Sequence, residues 1–137
     1  MGVEAGDEFT RNSILKRNMT ETEIVKAAEI IKAAGMKLVT ANILGIPGSS
    51  FEADLKTLEL NVKLKPDYAG ISLLQPYHGT EIYRYAAELG MIESEQPDLR
   101  EATVSRISTL KYRWHQAPSR RLNNPILWPR ETFKLQI

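Results

Sequence analysis

The sequence predicts an α/β protein made of repeated strand–loop–helix units around a parallel sheet. Three observations predict it. Glycine-bearing segments recur at the ends of apolar runs: Gly2-Val3-Glu4-Ala5-Gly6-Asp7-Glu8, Ile43-Leu44-Gly45-Ile46-Pro47-Gly48-Ser49-Ser50 and Gln75-Pro76-Tyr77-His78-Gly79-Thr80-Glu81. Each is followed by a stretch with helical periodicity. The strands so marked lie about 30 to 37 residues apart, the length of a βαβ unit. Such alternation implies right-handed crossovers. Three strands leave exposed edges, so the sheet is expected to be incomplete, a piece of a larger barrel whose first half is missing.

The elements follow in order. Residues 1–5 read as a strand end. Residues 7–17 read as a short helix with Ile14 and Leu15 as its apolar contacts. Thr20 opens a clearer helix, with Glu23 three residues on as a capping box. Ile24, Ala27, Ala28 and Ile31 follow at helical spacing, and Gly35 stands at the stop. Residues 37–44 are nearly continuous apolar, as in a strand covered on both faces, with Asn42 the exception. Gly45-Ile46-Pro47-Gly48 turns, and Ser49 caps the next helix with Glu52 in a second box. Phe51, Leu55, Leu58 and Val62 form its expected buried stripe, and Pro66-Asp67 breaks it. Residues 68–74 are the third strand, ended by Pro76. Thr80 caps a helix to about residue 89, with Gly90 at its end. A longer helix is expected over 99–116, with Val104, Ile107, Leu110 and Trp114 on one face. The tail from Ala117 has no clear period.

A chain of 137 residues suits one domain. No apolar run reaches the roughly 20 residues of a membrane helix. The N-terminus lacks the pattern of a signal peptide, and Gly6 stands where myristoylation wants Ser or Thr, so the expected location is cytoplasmic. There is no cysteine, which excludes disulfides, a thiol nucleophile and any cysteine-held cluster or zinc in this chain. Charge is uneven. Residues 1–110 carry 12 Lys/Arg against 16 Asp/Glu, whereas 111–137 carry six basic residues against Glu131 alone.

Loops at the carboxyl ends of parallel strands build ligand sites. In the loop 45–50, glycines permit close backbone approach, and a helix start offers free N–H groups. No Lys follows, so this is not a P-loop. Glu4 can accept bonds from a ligand amine or ribose, or pair with an Arg. Arg17 can meet a carboxylate with its planar fork, or be a surface charge. Asn42 and Gln75 are expected to point into the barrel mouth, or to satisfy neighbouring backbone. His78 reads as solvent-exposed and His115 as structural.

In this order, and with Ile14-Leu15-Lys16-Arg17-Asn18 after the first, Asn42 before the second and Ile82-Tyr83 after the third, the three segments resemble the C-terminal half of radical S-adenosylmethionine enzymes. The resemblance is closest to the subgroup with an N-terminal cobalamin-binding domain. It implies strands four to six of a partial (β/α)6 TIM-like barrel over residues 1–90, and a helical C-terminal extension over 91–137. It implies cofactor contacts from Glu4, Gly6, Arg17, Asn42, Gly45, Ile46, Gly48, Leu74, Gln75 and Pro76, on the adenine and ribose side of S-adenosylmethionine. The parent reaction would be reductive cleavage to a 5′-deoxyadenosyl radical, or cobalamin-linked methyl transfer. The family's C-x3-C-x2-C motif for a 4Fe–4S cluster is absent, so neither cluster nor cobalamin is held here. The chain alone is then expected to be inactive, with the N-terminal half of the barrel as its missing partner.

Two other readings stand beside this one. In the first, the chain is a non-catalytic binding module. Its basic end, with Tyr112, Trp114 and Trp128 interleaved, contacts nucleic acid or an acidic partner. The acidic first 110 residues argue against nucleic acid. In the second, it is a small α/β enzyme holding a phosphate in the loop 45–50.

Overall fold

The computed structural model describes residues 1–92. The helix expected over 99–116 and the tail from Ala117 lie outside the described residues. The element order is β1 (Gly2–Glu4), a single π turn (Thr10–Ile14), α1 (Glu21–Ala33), β2 (Val39–Leu44), α2 (Phe51–Leu64), β3 (Tyr68–Leu73) and α3 (Glu81–Glu88). The strands form one parallel sheet in the order β1-β2-β3. Each strand therefore pairs with its neighbour in sequence, a partial βα arrangement.

Local chemistry sets most boundaries. Thr20 caps α1 in a full capping box with Glu23. Gly35 follows α1 at φ 72°, the left-handed conformation that glycine adopts without penalty. Thr80 caps α3, accepting from the Tyr83 N–H. Three expectations are corrected. The helix expected over 7–17 is only the π turn Thr10–Ile14. The cap of α2 is Ser50, whose hydroxyl accepts from the Ala53 N–H at 3.2 Å. Ser49 is instead spent on a turn, its N–H donating to the Ile46 carbonyl at 3.0 Å. The stripe of α2 is also displaced. Leu55 and Val62 are exposed, while Asp54, Thr57, Leu60, Asn61 and Leu64 are buried.

The main core joins Val3 of β1, Ile24 and Ala28 of α1, Leu38 before β2, and Leu60 and Leu64 of α2. Along β2, exposed Val39 and Ala41 alternate with buried Thr40 and Asn42. Among the described residues only one face of this strand is covered, not the two expected.

That covered face carries a polar network. The Thr40 hydroxyl donates to Asn61 Oδ1 at 2.7 Å. Asn61 Nδ2 donates to Asn42 Oδ1 and to the Thr57 carbonyl, both at 2.8 Å. Asn42 Nδ2 donates across the sheet to the Gly70 carbonyl at 3.0 Å. All of these side chains are buried, where an unmade hydrogen bond costs about 1–3 kcal/mol. Replacing Asn61 with Ala strands the Thr40 hydroxyl and the Asn42 carbonyl. The expected loss is about 3 kcal/mol, read by urea unfolding of the full chain. A loss below about 0.5 kcal/mol, the range of an ordinary surface change, would show that the network contributes little.

Candidate functional site

The three strands are parallel, so their carboxyl-end loops gather on one side. At the end of β1, Glu4 adopts φ 65°, a conformation uncommon for a residue with a side chain. Its carboxylate lies 3.4 Å from Arg17 Nη2. Gly2 leaves room for that carboxylate, since a Cβ there would come within 2.5 Å of Glu4 Oε1. Gly6 donates its N–H to Thr57 Oγ1 at 2.9 Å. A Cβ on Gly6 would run into the backbone of Lys56 and Thr57, so only glycine lets this loop meet α2.

Arg11 holds the same loop from within. It is completely buried. Its Nη1 donates to the carbonyls of Ala5 (2.8 Å) and Gly6 (3.1 Å), and its Nε to that of Met19 (2.9 Å). Asp7 closes the turn outside, accepting from the Thr10 N–H and hydroxyl, each at 2.9 Å. Its hydrogen bond with Lys56, at 2.7 Å, holds its carboxyl below the ordinary value.

After β2, Gly45 (φ 68°) donates its N–H to Asp54 Oδ2 at 3.1 Å. Burial pushes the Asp54 carboxyl up to about 6, against the opposing effect of that N–H. Ile46 and Pro47 are buried beneath the loop. Gly48 turns at φ 75°. A groove of about 570 Å³ lies between this loop and the end of α3, lined by Gly45, Ser49, Asp54 and Leu89 among others. After β3, Leu74 extends the pairing by donating to the Leu44 carbonyl at 2.9 Å. Gln75 is half-buried and Pro76 fully buried. His78 is exposed and tilts against Tyr83, with ring centroids 4.9 Å apart.

The structure thus brings Glu4 and Arg17 together, and sets Gly45 and Leu74 at neighbouring strand ends. It does not put Asn42 in the mouth. That side chain turns to α2 and serves the polar network, because a buried amide needs all its partners. Arg11 and Asp54 escaped the sequence reading, since buried charged residues are rare. Asp54 had one visible signal, its position a turn beyond a glycine loop. Among the described residues no three His, Cys, Asp or Glu side chains gather as a metal site, and no helix is long and apolar enough to cross a membrane.

No protein-family model matches the chain. It is similar to the tRNA uridine(34) acetyltransferase of Methanocaldococcus jannaschii, 34% identical over 87 residues. It is similar also to the protein of that name from Methanocaldococcus infernus, 33% identical over 87 residues. Each match covers 59% of this chain and only 16% of the relative. The chain therefore spans about a sixth of the length of the curated relatives it matches.

Both relatives are named as tRNA acetyltransferases, not as radical S-adenosylmethionine enzymes. That finding overturns the assignment drawn from the three loop motifs. With it go S-adenosylmethionine, the 4Fe–4S cluster and cobalamin as the cofactor set, and the radical reaction as the parent activity. The physical reason is the content of the motifs. They are short strings of Gly, Pro and helix-capping residues, which carboxyl-end loops of parallel sheets favour for backbone reasons. They specify a loop shape more than a ligand.

Two outcomes test the loop geometry. Gly6→Ala forces the β1 loop off the backbone of α2, an overpacking expected to cost about 1–3 kcal/mol in urea unfolding. An unchanged midpoint would show that the loop moves aside freely. For Asp54 the folded-state value of about 6 lies above the ordinary 3.8. The folded chain therefore binds this proton more tightly than the unfolded chain. The Asp54 contribution to stability is full below about pH 4 and is lost as pH rises through about 6. Asp54→Asn keeps an oxygen for the Gly45 N–H and removes the charge. It is expected to raise stability at pH 8 by about 2–3 kcal/mol and to flatten the profile between pH 4 and 7. A parallel profile for parent and variant would remove Asp54 as its source.

Proposed function

We propose that this chain works in tRNA modification, as a binding scaffold within the machinery that acetylates uridine 34. The observation that carries this reading is the similarity to two proteins of that name over 87 residues. The scaffold role follows from what the described residues offer. They supply glycine turns, the Glu4–Arg17 pair and a groove of about 570 Å³ at one end of a parallel sheet, an arrangement suited to holding a ligand. In this reading the three strands in sequence order form part of a barrel completed by further chain. The acetyl donor, acetyl-CoA in the usual chemistry of such transfer, is handled elsewhere in the machinery.

The basic stretch 111–137 suits the same reading. Lys111, Arg113, Arg120, Arg121, Arg130 and Lys134 stand there against Glu131 alone, with Tyr112, Trp114 and Trp128 among them. Cations release counterions from phosphates, and aromatic rings stack on bases. The acidic excess of the first 110 residues repels RNA, so in this reading the phosphate contacts fall to 111–137 alone.

The test is tRNA binding by the full chain over a salt series. Binding should weaken steeply with salt, and neutralising Arg113, Arg120 and Arg121 together should lower the log–log slope by about 2–3. No tRNA affinity at low salt, or a slope untouched by the triple change, would overturn the reading. With acetyl-CoA and tRNA supplied, the chain alone should transfer no acetyl group, and transfer above the protein-free rate would overturn the scaffold assignment.

A further inference from the structure

Among the described residues, β3 lacks the helical cover that its neighbours have. Side chains of residues paired in a parallel ladder share a face of the sheet. Thr40 and Asn42 face α2, so their partners Ala69 and Ile71 lie on the same side. Ala69 is buried, but Ile71 is 44% exposed, and Leu73, two residues on, is only half-buried. Helix α2 thus covers the start of β3 and leaves its second half bare. α3 does not fill the gap. Its one buried residue, Ala86, packs with Leu74, Met91 and Ile92, past the end of the strand.

The chain continues beyond Ile92 from this same place. Ile92 and Leu74 both pack on Ala86, so residue 93 starts at the carboxyl end of β3. From that end of their strands α1 and α2 also turn back over the sheet, and they share one core with it. The stretch 93–98 is of ordinary loop length. Asp98 then stands at a helix start, with Glu101 three residues on. Val104, Ile107, Leu110 and Trp114 recur at helical spacing. As a helix, 99–116 reaches about 27 Å, enough to run back along the roughly 20 Å of β3. An apolar stripe without a partner and a bare apolar strand face are therefore joined by one short connection.

We propose that 99–116 docks on β3 as a third helix in the layer of α1 and α2, with Val104, Ile107, Leu110 and Trp114 over Ile71 and Leu73. It runs antiparallel to the strand, as crossover helices do. Ser105 and Tyr112 fall on the opposite side. Residues 117–137 then emerge at the amino end of β3, across the sheet from the carboxyl-end loops. Where that stretch contacts RNA, Trp114 is packed, and Tyr112 and Trp128 are left to stack on bases. This last consequence rests on the tRNA reading, and the docking does not.

The absence of cysteine makes the test clean. Ile71→Cys places a single thiol on the bare face of β3, and Thr22→Cys places one on exposed α1 as control. The reaction of each with a small maleimide is followed in the full chain. The Ile71→Cys thiol should react at least about 10-fold more slowly than the control, as under a cover favoured by about 1.4 kcal/mol. Adding Ile107→Asp puts a charge on the stripe and should restore the control rate, with hydrogen exchange of α1 and α2 amides unchanged. Adding Ser105→Asp, off the stripe, should leave the slow rate as it is. A short bis-maleimide should join Ile71→Cys to Ile107→Cys within one chain, and not to Ser105→Cys. Equal rates for Ile71→Cys and Thr22→Cys overturn the docking. So does Val39→Cys, on the other face of the sheet, becoming the thiol that Ile107→Asp releases. Cross-links between chains in place of within them also overturn it, since a second copy would then hold the face. The cross-link adds no charge, so the test survives if Ile107→Asp fails to fold.

Discussion

The side of α2 that faces the sheet is polar, and the rest of the structure depends on that contact. Asn61 is its centre, donating to β2 through Asn42 and accepting from it through Thr40. Asn42 passes the connection on to the backbone of β3. Thr57 receives the Gly6 N–H at the end of β1. Asp54 receives the Gly45 N–H where β2 ends. One helix thus bonds directly to β2 and to the loops that follow β1 and β2, and reaches β3 through Asn42. Hydrophobic contact alone tolerates sliding, whereas hydrogen bonds fix register, because a slipped donor is left unsatisfied in a low-dielectric interior. The apolar residues Leu60 and Leu64 stand on either side of Asn61 in sequence and supply contact area to the core.

The carboxyl-end loops inherit their shape from this anchoring. The β1 loop is held on one side by α2 and on the other by Arg11, whose guanidinium donates to three carbonyls while its buried Nη2 finds no acceptor among the described residues. A buried cation is costly unless acceptors surround it. Arg11 instead satisfies the carbonyls of Ala5, Gly6 and Met19, tying the turn after β1 to the start of α1. Left-handed backbone recurs nearby at Glu4, Lys16 and Asn18. Such conformations persist where the surroundings over-determine them, and here Arg11, Asp7 and α2 do so together.

How much was legible in the sequence follows the range of the forces. Thr20 with Glu23, Thr80, Gly35 and Gly90 act within one turn of chain, and each marks its helix end as read. The Ser49–Ser50 doublet offered two caps of equal chemistry, and the turn through Ile46 decided between them. The stripe of Phe51, Leu55, Leu58 and Val62 was a sound helical face, but α2 docks through Asp54, Thr57 and Asn61, which a search for apolar periodicity passes over. Asn42 was seen as the polar exception in an apolar strand, yet its direction depended on Asn61, 19 residues away. For function, the motifs described loop shapes accurately and their ligand wrongly, because glycine and proline report what the backbone does and not what it holds. The similarity to tRNA acetyltransferases extends over 87 residues, far more than the three short motifs span.

The sequential strand order has a consequence for how the chain is made. Among the described residues, each strand's hydrogen-bonded neighbour is the one next to it in the order of synthesis. After β1 emerges, α1 and β2 follow and can dock on it. The arrival of α2 then locks both through Thr57 and Asn61 before β3 is synthesised. β3 adds to a surface already formed. Assembly can thus proceed in the order of translation, with the loop-closure cost met in steps of one βαβ unit.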